Sequence, residues 1–483
     1  MIKEFIHRLT NNIAGNNKLK FPLATIDATI IEDYNKIRKP GLSGSFCYAP
    51  GINMLFGQDG KIRACCHNME VTLGEYPKQS ISEIWQGQAA QQLRNQLKNY
   101  DLKHGCNVCQ ADMNSRSFEE VRARHFDSLP LSAHYPTMME FLMTNTCNLE
   151  CIMCMGIYSS LIRKNREKLP PIVSPYDKAF ISQLEEFIPH LSETRFSGSG
   201  EAFAIDMNYE IWEMIIRLNP KCVIMVQTNG SFLNARIKDL LSRGNFRIGV
   251  SLDSLYKETY ESIRLNANFD RVMENIRYFS EYSRNKNEKF ALAMCVMRQN
   301  WKELPEFIKF CDANNAVATL HKVWFPREHA LYPLSFAKLT EIHDYLSAFD
   351  WEAQTALQQL NKRHYQYLVS TIKMWKENSL LRGDEAVHID ALNEEELITF
   401  FQSKLRTELE NESMPELETE NIVQLCTDKI LAVLEDYGSD TERLDVFKQM
   451  AKIPAPEVLK ALRLAPVELL KEQAKTFLVR YFV

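Results

Sequence analysis

The sequence predicts an α/β protein. Its centre is a partial (β/α)6 TIM-type barrel, with a small cysteine-rich module before it and an all-helical region after it. Three observations carry this. From Glu140 short apolar runs alternate with amphipathic segments through six units. Eight of the twelve cysteines crowd between Cys47 and Cys154. From Ala337 to Val483 only two glycines, Gly383 and Gly438, interrupt a helical pattern.

At 483 residues and 56.1 kDa the chain has room for more than one domain. Its 45% apolar and 25% charged content is that of an ordinary globular protein. A formal charge of −5 gives no electrostatic footprint for nucleic acid or an anionic membrane, and neither is expected as a partner. The segment 1–45 opens with MIKEFIHRLTNNIAGNNKLK, which has no apolar core flanked by a cleavage site, and no run of about eighteen apolar residues appears. A cytoplasmic location is expected, where thiols stay reduced. The clustered cysteines therefore call for a metal rather than a disulfide framework.

Residues 46–115 form a turn-rich module with five cysteines: Cys47, Cys65, Cys66, Cys106 and Cys109. Within it QDGKIRACC offers a hairpin at Asp59-Gly60, and SISEIWQGQAAQQLRNQL reads as a capped helix starting near Ser82. Residues 136–330 form the barrel. Its candidate strands are Met138–Thr144, Thr194–Ser197, Cys222–Gln227, Arg247–Leu252, Phe290–Met297 and Ala318–Phe325. Helical patterns lie between them, in Ile157–Leu191, Tyr209–Leu218, Asn234–Ser242, Lys257–Ser283 and Glu303–Ala313. Such alternation implies parallel pairing with right-handed crossovers. Residues 335–483 read as a helical domain. In it Asp384–Glu420 holds twelve acidic residues against Lys404 and Arg406, a pattern of a solvated face or linker. There is no internal repeat and no low-complexity tract.

The chemistry concentrates in FLMTNTCNLECIMCMG, Phe141 to Gly156. A zinc ribbon needs four ligands, and no fourth cysteine or well-spaced histidine follows Cys154 closely. Three thiolates suit a [4Fe–4S] cluster with one iron left open for another ligand. Cys147, Cys151 and Cys154 sit on a loop after a strand, at the face where barrel active sites form.

In this Cys-x3-Cys-x2-Cys pattern the sequence resembles the radical S-adenosylmethionine enzymes. The resemblance implies that Cys147, Cys151 and Cys154 hold a [4Fe–4S] cluster whose open iron chelates S-adenosylmethionine. In that family reductive cleavage of the cofactor yields a 5′-deoxyadenosyl radical, which takes a hydrogen atom from the substrate. Later strand ends fit the family's pattern. Ser197-Gly198-Ser199-Gly200-Glu201 stands where the family has a Gly-Gly-Glu-Pro motif at the methionine amino group, with Ala202 in place of proline. This assigns Ser199, Gly200 and Glu201 to the cofactor. Thr228-Asn229-Gly230 matches a Thr-Asn-Gly strand end, and Ser251-Leu252-Asp253-Ser254 a Ser-x-Asp motif. By the same resemblance Asn229 belongs to the cofactor site, Ser251 faces the ribose or carboxylate, and Asp253 the substrate side. Arg264 pairs with the methionine carboxylate, and Met153 packs on the adenine. Taken singly, each also fits a turn, a cap or core packing.

The earlier cysteines raise a separate question. Cys106 and Cys109 with two distant thiols fit zinc or iron–sulfur equally well on spacing. Gly60-x4-Cys65, Leu73-Gly74, Ile84-Trp85 and Gly105-Cys106-x-x-Cys109 resemble the SPASM and twitch modules that hold auxiliary [4Fe–4S] clusters. Here the module precedes the barrel and has five cysteines rather than the usual seven, so the resemblance implies one auxiliary cluster on Cys47, Cys65, Cys106 and Cys109. Cys66 is either spare or replaces Cys65, since adjacent strand residues face opposite ways. That cluster would be structural, accept or relay electrons, or bind substrate.

The resemblance covers roughly Phe46 to Phe325. It implies a reducing partner such as flavodoxin or ferredoxin. The leading expectation is modification of a peptide or protein side chain, with the C-terminal helices as docking surface. The second is a dehydrogenase or epimerase of a sugar or other small metabolite, for which Cys222, Cys295 and Cys311 are candidate hydrogen donors. The third is a non-enzymatic iron–sulfur sensor, against which the set Glu201, Asn229, Ser251 and Arg264 argues.

Overall fold

The computed structural model describes residues 26–380, except 115 and 133, and residues 389–471, except 390, 412–413, 415, 436–439, 453–454, 465–466 and 468–469. Most of the N-terminal segment, the start of the acidic run and the last twelve residues therefore lie outside the described residues.

The barrel strands are β4 (Met138–Leu142), β5 (Glu193–Phe196), β6 (Val223–Thr228), β7 (Phe246–Ser251), β8 (Phe290–Val296) and β9 (Ala316–Lys322). All pair parallel and in order, as the six repeating units predict. Each lies within two or three residues of its sequence-based bounds. Helices Lys178–Phe187, Asp206–Leu218, Ala235–Arg243, Phe269–Asn285 and Leu304–Ala313 supply the crossovers.

Along β6 half-covered and buried residues alternate strictly. The buried set, Ile224, Val226 and Thr228, faces the helices, and Val223, Met225 and Gln227 face the lumen. Register carries this across the sheet, so Glu140, Arg195, Met225 and Arg247 share one inward layer. Ser251 pairs with Ala293, and Cys295 with His321, nearer the C-terminal ends. On the outer face Phe141 stacks on Phe196 at 4.9 Å, and Phe196 meets Trp212 edge-on at 5.3 Å. Such aromatic pairs add about 0.5–1.5 kcal/mol each beyond their area.

The cysteine-rich module is not set apart from the barrel. Before β4 lie β1 (Asn53–Gly57), β2 (Lys61–Arg63) and β3 (Gly74–Glu75), which extend the sheet to nine strands in the order β3-β2-β1-β4 through β9. β1 pairs parallel with β4 along its full length, and Asn53 Nδ2 donates to Glu140 Oε1 at 2.6 Å. The expected hairpin is present, with Gly60 at φ +77°. The expected capped helix starts at Ile81, one residue before Ser82: Ser80 is its N-cap and forms a capping box with Glu83, and Gly87 separates Ile81–Gln86 from a second helix, Gln88–Lys98.

By contacts, the described residues fall into two units. One runs from residue 26 to Val323 and includes Tyr345–Ser370; the other holds Trp324–Asp344 and residues from Thr371 on. Tyr345–Ser370 thus departs from the expected helical domain at 335–483, because it covers the open edge of β9. Asn361, fully buried, accepts from Ala318 N at 2.8 Å and donates to Ala316 O at 3.0 Å. In the other unit helices Glu394–Asn411, Glu416–Leu434, Asp440–Ala451 and Ala455–Leu464 bury a core around Phe401, Leu405, Ile430 and Phe447. The described acidic residues at Glu394–Glu396 lie on the exposed side of the first of these helices or near it, and so belong to a packed helix rather than a linker.

Candidate active site and auxiliary cysteine centre

The loop after β4 carries the three thiols and is fixed from both sides. Asn145 Nδ2 donates to Gly156 O at 2.7 Å, Cys147 N to Ser160 Oγ at 3.2 Å, and Ser159 Oγ to Leu149 O at 2.8 Å. From the other side Glu150 N and Ile152 N donate to Leu265 O and Ile263 O at 3.1 and 2.9 Å. Cys151 is buried, and Cys147 and Cys154 are half-buried. Burial pushes the thiols up, Cys151 to about 11 against the opposing pull of Arg264, and Cys154 to about 12 with a further push from Cys151 and Cys147. The donor set is all sulfur, held on one rigid loop with a cation beside it, and so fits an iron–sulfur cluster with one iron unligated by protein.

Later strand ends close around this loop. Gly200 has φ +67°, and a Cβ there would lie 2.6 Å from Thr146 O, so only glycine lets the loop after β5 approach this closely. Ser199 Oγ donates to Thr144 O at 3.1 Å, and Glu201 N to Thr146 O at 2.8 Å. The Glu201 carboxylate, 1% exposed, accepts from Thr228 Oγ1 and Asn229 N, both at 2.6 Å, and from Phe203 N at 3.2 Å. Burial raises its pKa, against these hydrogen bonds. With three protein donors already bound, Glu201 retains room for about one more. Asn229 Nδ2 in turn donates to Asn148 Oδ1 at 2.9 Å, a tie between the third strand end and the cysteine loop that sequence reasoning missed. Nothing in the residue types around Asn148 signals it.

Ser251 Oγ, half-buried on the lumen, accepts from Gln227 Nε2 at 2.9 Å, and Met153 is half-buried between two cysteines of the loop. Asp253 and Arg264 meet each other: Arg264 Nε lies 2.7 Å from Asp253 Oδ2, and Nη1 donates to Cys151 Sγ at 3.9 Å. Asp253 also accepts from Cys295 N at 2.7 Å. Of the three cysteines that are candidate hydrogen donors, Cys222 and Cys311 are buried in packing, while Cys295 faces the lumen at the level of His321.

The second cysteine group converges as well. Cys47, Cys65, Cys106 and Cys109 line one cavity, together with Asn68 and Arg122. Burial, and then a neighbouring thiol, pushes each of Cys65, Cys106 and Cys109 up to about 12, the neighbours being Cys66, Cys65 and Cys106 in turn. Asn68 Nδ2 donates to Cys106 Sγ at 3.5 Å. Cys66 does not line this cavity; besides Arg122, the charges that act on it are those of Glu140 and Arg195, on β4 and β5. Arg38 braces the module, donating through Nε and Nη2 to the two oxygens of Asp127, both at 2.7 Å, and through Nη1 to Ser45 O at 2.7 Å. Four sulfurs lining one buried cavity are a donor set that fits an iron–sulfur cluster.

A barrel whose first strand-end loop gathers three thiols beneath later strand ends suits an iron–sulfur cluster with one iron open to a further ligand. Residues 141–311 match the Radical SAM superfamily, and residues 47–110 match the iron–sulfur cluster-binding domain SPASM. The chain therefore carries a SPASM module ahead of a radical S-adenosylmethionine domain, and these domains imply a [4Fe–4S] cluster with S-adenosylmethionine and auxiliary iron–sulfur.

An uncharacterized protein of Archaeoglobus fulgidus is 30% identical over 185 residues, 37% of this chain and 40% of its own. A GTP 3′,8-cyclase of Clostridium botulinum is 24% identical over 134 residues, 28% and 40% of the two chains. A probable GTP 3′,8-cyclase of Methanocaldococcus jannaschii is 26% identical over 177 residues, 36% and 55%. The matches thus span 40 to 55% of these relatives' lengths. Among solved structures, anSMEcpe with bound AdoMet is 18% identical at a TM-score of 0.31, covering 43% of this chain and 59% of its own. Streptococcus suis SuiB bound to S-adenosylmethionine is 13% identical at 0.33, covering 55% and 61%. Among the described residues no helix is long and apolar enough to cross a membrane.

Proposed function

We propose that this chain is a radical S-adenosylmethionine enzyme that modifies a peptide or protein side chain. The observation that carries the class is the convergence of Gly200, Glu201, Asn229 and Arg264 on the loop of Cys147, Cys151 and Cys154. When bound and reduced, the cluster and cofactor supply a 5′-deoxyadenosyl radical that abstracts a hydrogen atom. The chain's own residues do the rest. Cys147, Cys151 and Cys154 hold the cluster, and Glu201, behind the close approach of Gly200, takes the methionine ammonium on its remaining acceptor site. Arg264 takes the carboxylate, Met153 the adenine and Ser251 the ribose. Cys47, Cys65, Cys106 and Cys109 hold one auxiliary cluster, and a low-potential donor such as flavodoxin or ferredoxin supplies electrons.

The peptide reading draws support from the SPASM module sharing a sheet with the barrel, and from the presence of a further helical unit with its own core. A second reading, a small-metabolite substrate, is favoured by the GTP 3′,8-cyclase matches and by the polar lumen of Gln227, Ser251, Thr319 and His321. The test is anaerobic turnover with S-adenosylmethionine and peptides encoded beside the gene, read by mass spectrometry. A mass change in a peptide, with 5′-deoxyadenosine formed in proportion, supports the first reading. Proportionate 5′-deoxyadenosine with nucleotides or sugars, and none above background with peptides, supports the second.

A further inference from the structure

We propose that Arg264, held by Asp253, sets the reduction potential of the cluster on Cys147, Cys151 and Cys154. This rests on the reading that those three thiols hold a cluster. Arg264 is 6% exposed, and its Nη1 donates to the sulfur of Cys151, one of the ligands. Reduction adds a negative charge that is shared between the irons and their sulfurs. A guanidinium hydrogen-bonded to one of those sulfurs stabilises the reduced form, and the low-dielectric interior amplifies the effect.

Asp253 works in the opposite sense. It is fully buried, and it is fixed to β8 through Cys295 N and to the next turn through Asn300 Nδ2, which donates to its carbonyl, both at 2.7 Å. Its Oδ2 lies 2.7 Å from Arg264 Nε, but neither atom has an aligned hydrogen-bond partner, so the contact is ionic. Burial works against the Arg264 charge, and Asp253 and then Cys151 overcome it, so the guanidinium stays charged beside the sulfur. The carboxylate offsets part of the cation's pull on the cluster while keeping it in place. Arg264 is thus a positioning residue whose charge acts through Cys151, in addition to any contact it makes with cofactor.

The two residues give opposite signs, which a merely structural role would not. The experiment is a redox titration of the reconstituted holoprotein without S-adenosylmethionine. It follows the electron paramagnetic resonance signal that is missing from Cys151→Ala. At the wild-type midpoint, Arg264→Gln should lower the reduced-to-oxidised ratio about tenfold, which is 59 mV more negative for one electron. Asp253→Asn should raise the ratio, and Arg264→Lys should fall between wild type and Arg264→Gln. If Arg264→Gln takes up no iron, the signs of Arg264→Lys and Asp253→Asn decide. Shifts in the same direction for both residues, or none, overturn the inference while leaving the cluster reading intact. A wild type with no signal that Cys151→Ala removes overturns both.

Discussion

Gly200→Ala tests how the cofactor cradle is built. The backbone there sits at φ +67°, which costs an alanine about 1 kcal/mol or slightly more. The new Cβ would lie 2.6 Å from Thr146 O and 3.0 Å from Thr144 O, both backbone atoms of the segment that leads into the cysteine loop. Relief requires the loop after β5 to retreat, stretching Glu201 N to Thr146 O from 2.8 Å and Gly200 N to Tyr158 O from 3.0 Å. Overpacking of this kind costs about 1–3 kcal/mol, so the total loss is about 2–4 kcal/mol. Gly198→Ala is the matched control: it too has positive φ, +88°, but its Cβ meets only the Leu142 side chain, at 3.2 Å. The assays are urea unfolding and calorimetric S-adenosylmethionine binding on reconstituted protein. Gly200→Ala should lose more stability than Gly198→Ala by at least about 1 kcal/mol and bind cofactor at least about tenfold more weakly. Equal losses in the two variants would refute the close-approach argument.

Other outcomes follow from the same geometry. Cys65→Ser should lose the auxiliary iron and Cys66→Ser should keep it, as measured by iron content, because only Cys65 lines the four-sulfur cavity. Asp127→Ala should leave the Arg38 guanidinium buried without its carboxylate and cost about 3–5 kcal/mol in urea unfolding, with weakened iron retention in the module. Asp112 is pushed up to about 6, by burial and then by Glu120, so the folded chain keeps a proton that the unfolded chain releases near pH 4. Its contribution is present at low pH and lost as pH rises through about 6. Asp112→Asn should therefore gain stability over wild type at about pH 7.5, by about 1–2 kcal/mol after solvent screening, roughly half of that at about pH 5, and almost nothing below about pH 4.

What the sequence made legible was whatever repeats at short range. The six barrel strands show as apolar runs between helices, and the order of Gly200, Asn229 and Ser251 along the chain reflects their order at successive strand ends, with Arg264 following one short helix after β7. β1 was hidden because NMLFG is short and its partner, Met138 onward, lies far along the chain, beyond the hairpin and several short helices of the cysteine-rich module. The period-2 rule left Cys65 and Cys66 equivalent, and only the position of Cys106 and Cys109 separates them. Asp253 was expected on the substrate side, yet its carboxylate lies against Arg264, because the turn after helix Lys257–Ile263 returns that arginine beneath β7, a contact no local pattern encodes. Likewise Asn361 reads as one polar residue in a long helix, and its role in capping the β9 edge depends on where that helix packs.

The most direct measurement combines iron content with S-adenosylmethionine cleavage in the anaerobically reconstituted protein. Wild type should hold about eight irons per chain and form 5′-deoxyadenosine under reduction. Cys151→Ala should keep about four irons and form none. No 5′-deoxyadenosine from wild type, or an unchanged yield from Cys151→Ala, would contradict the account.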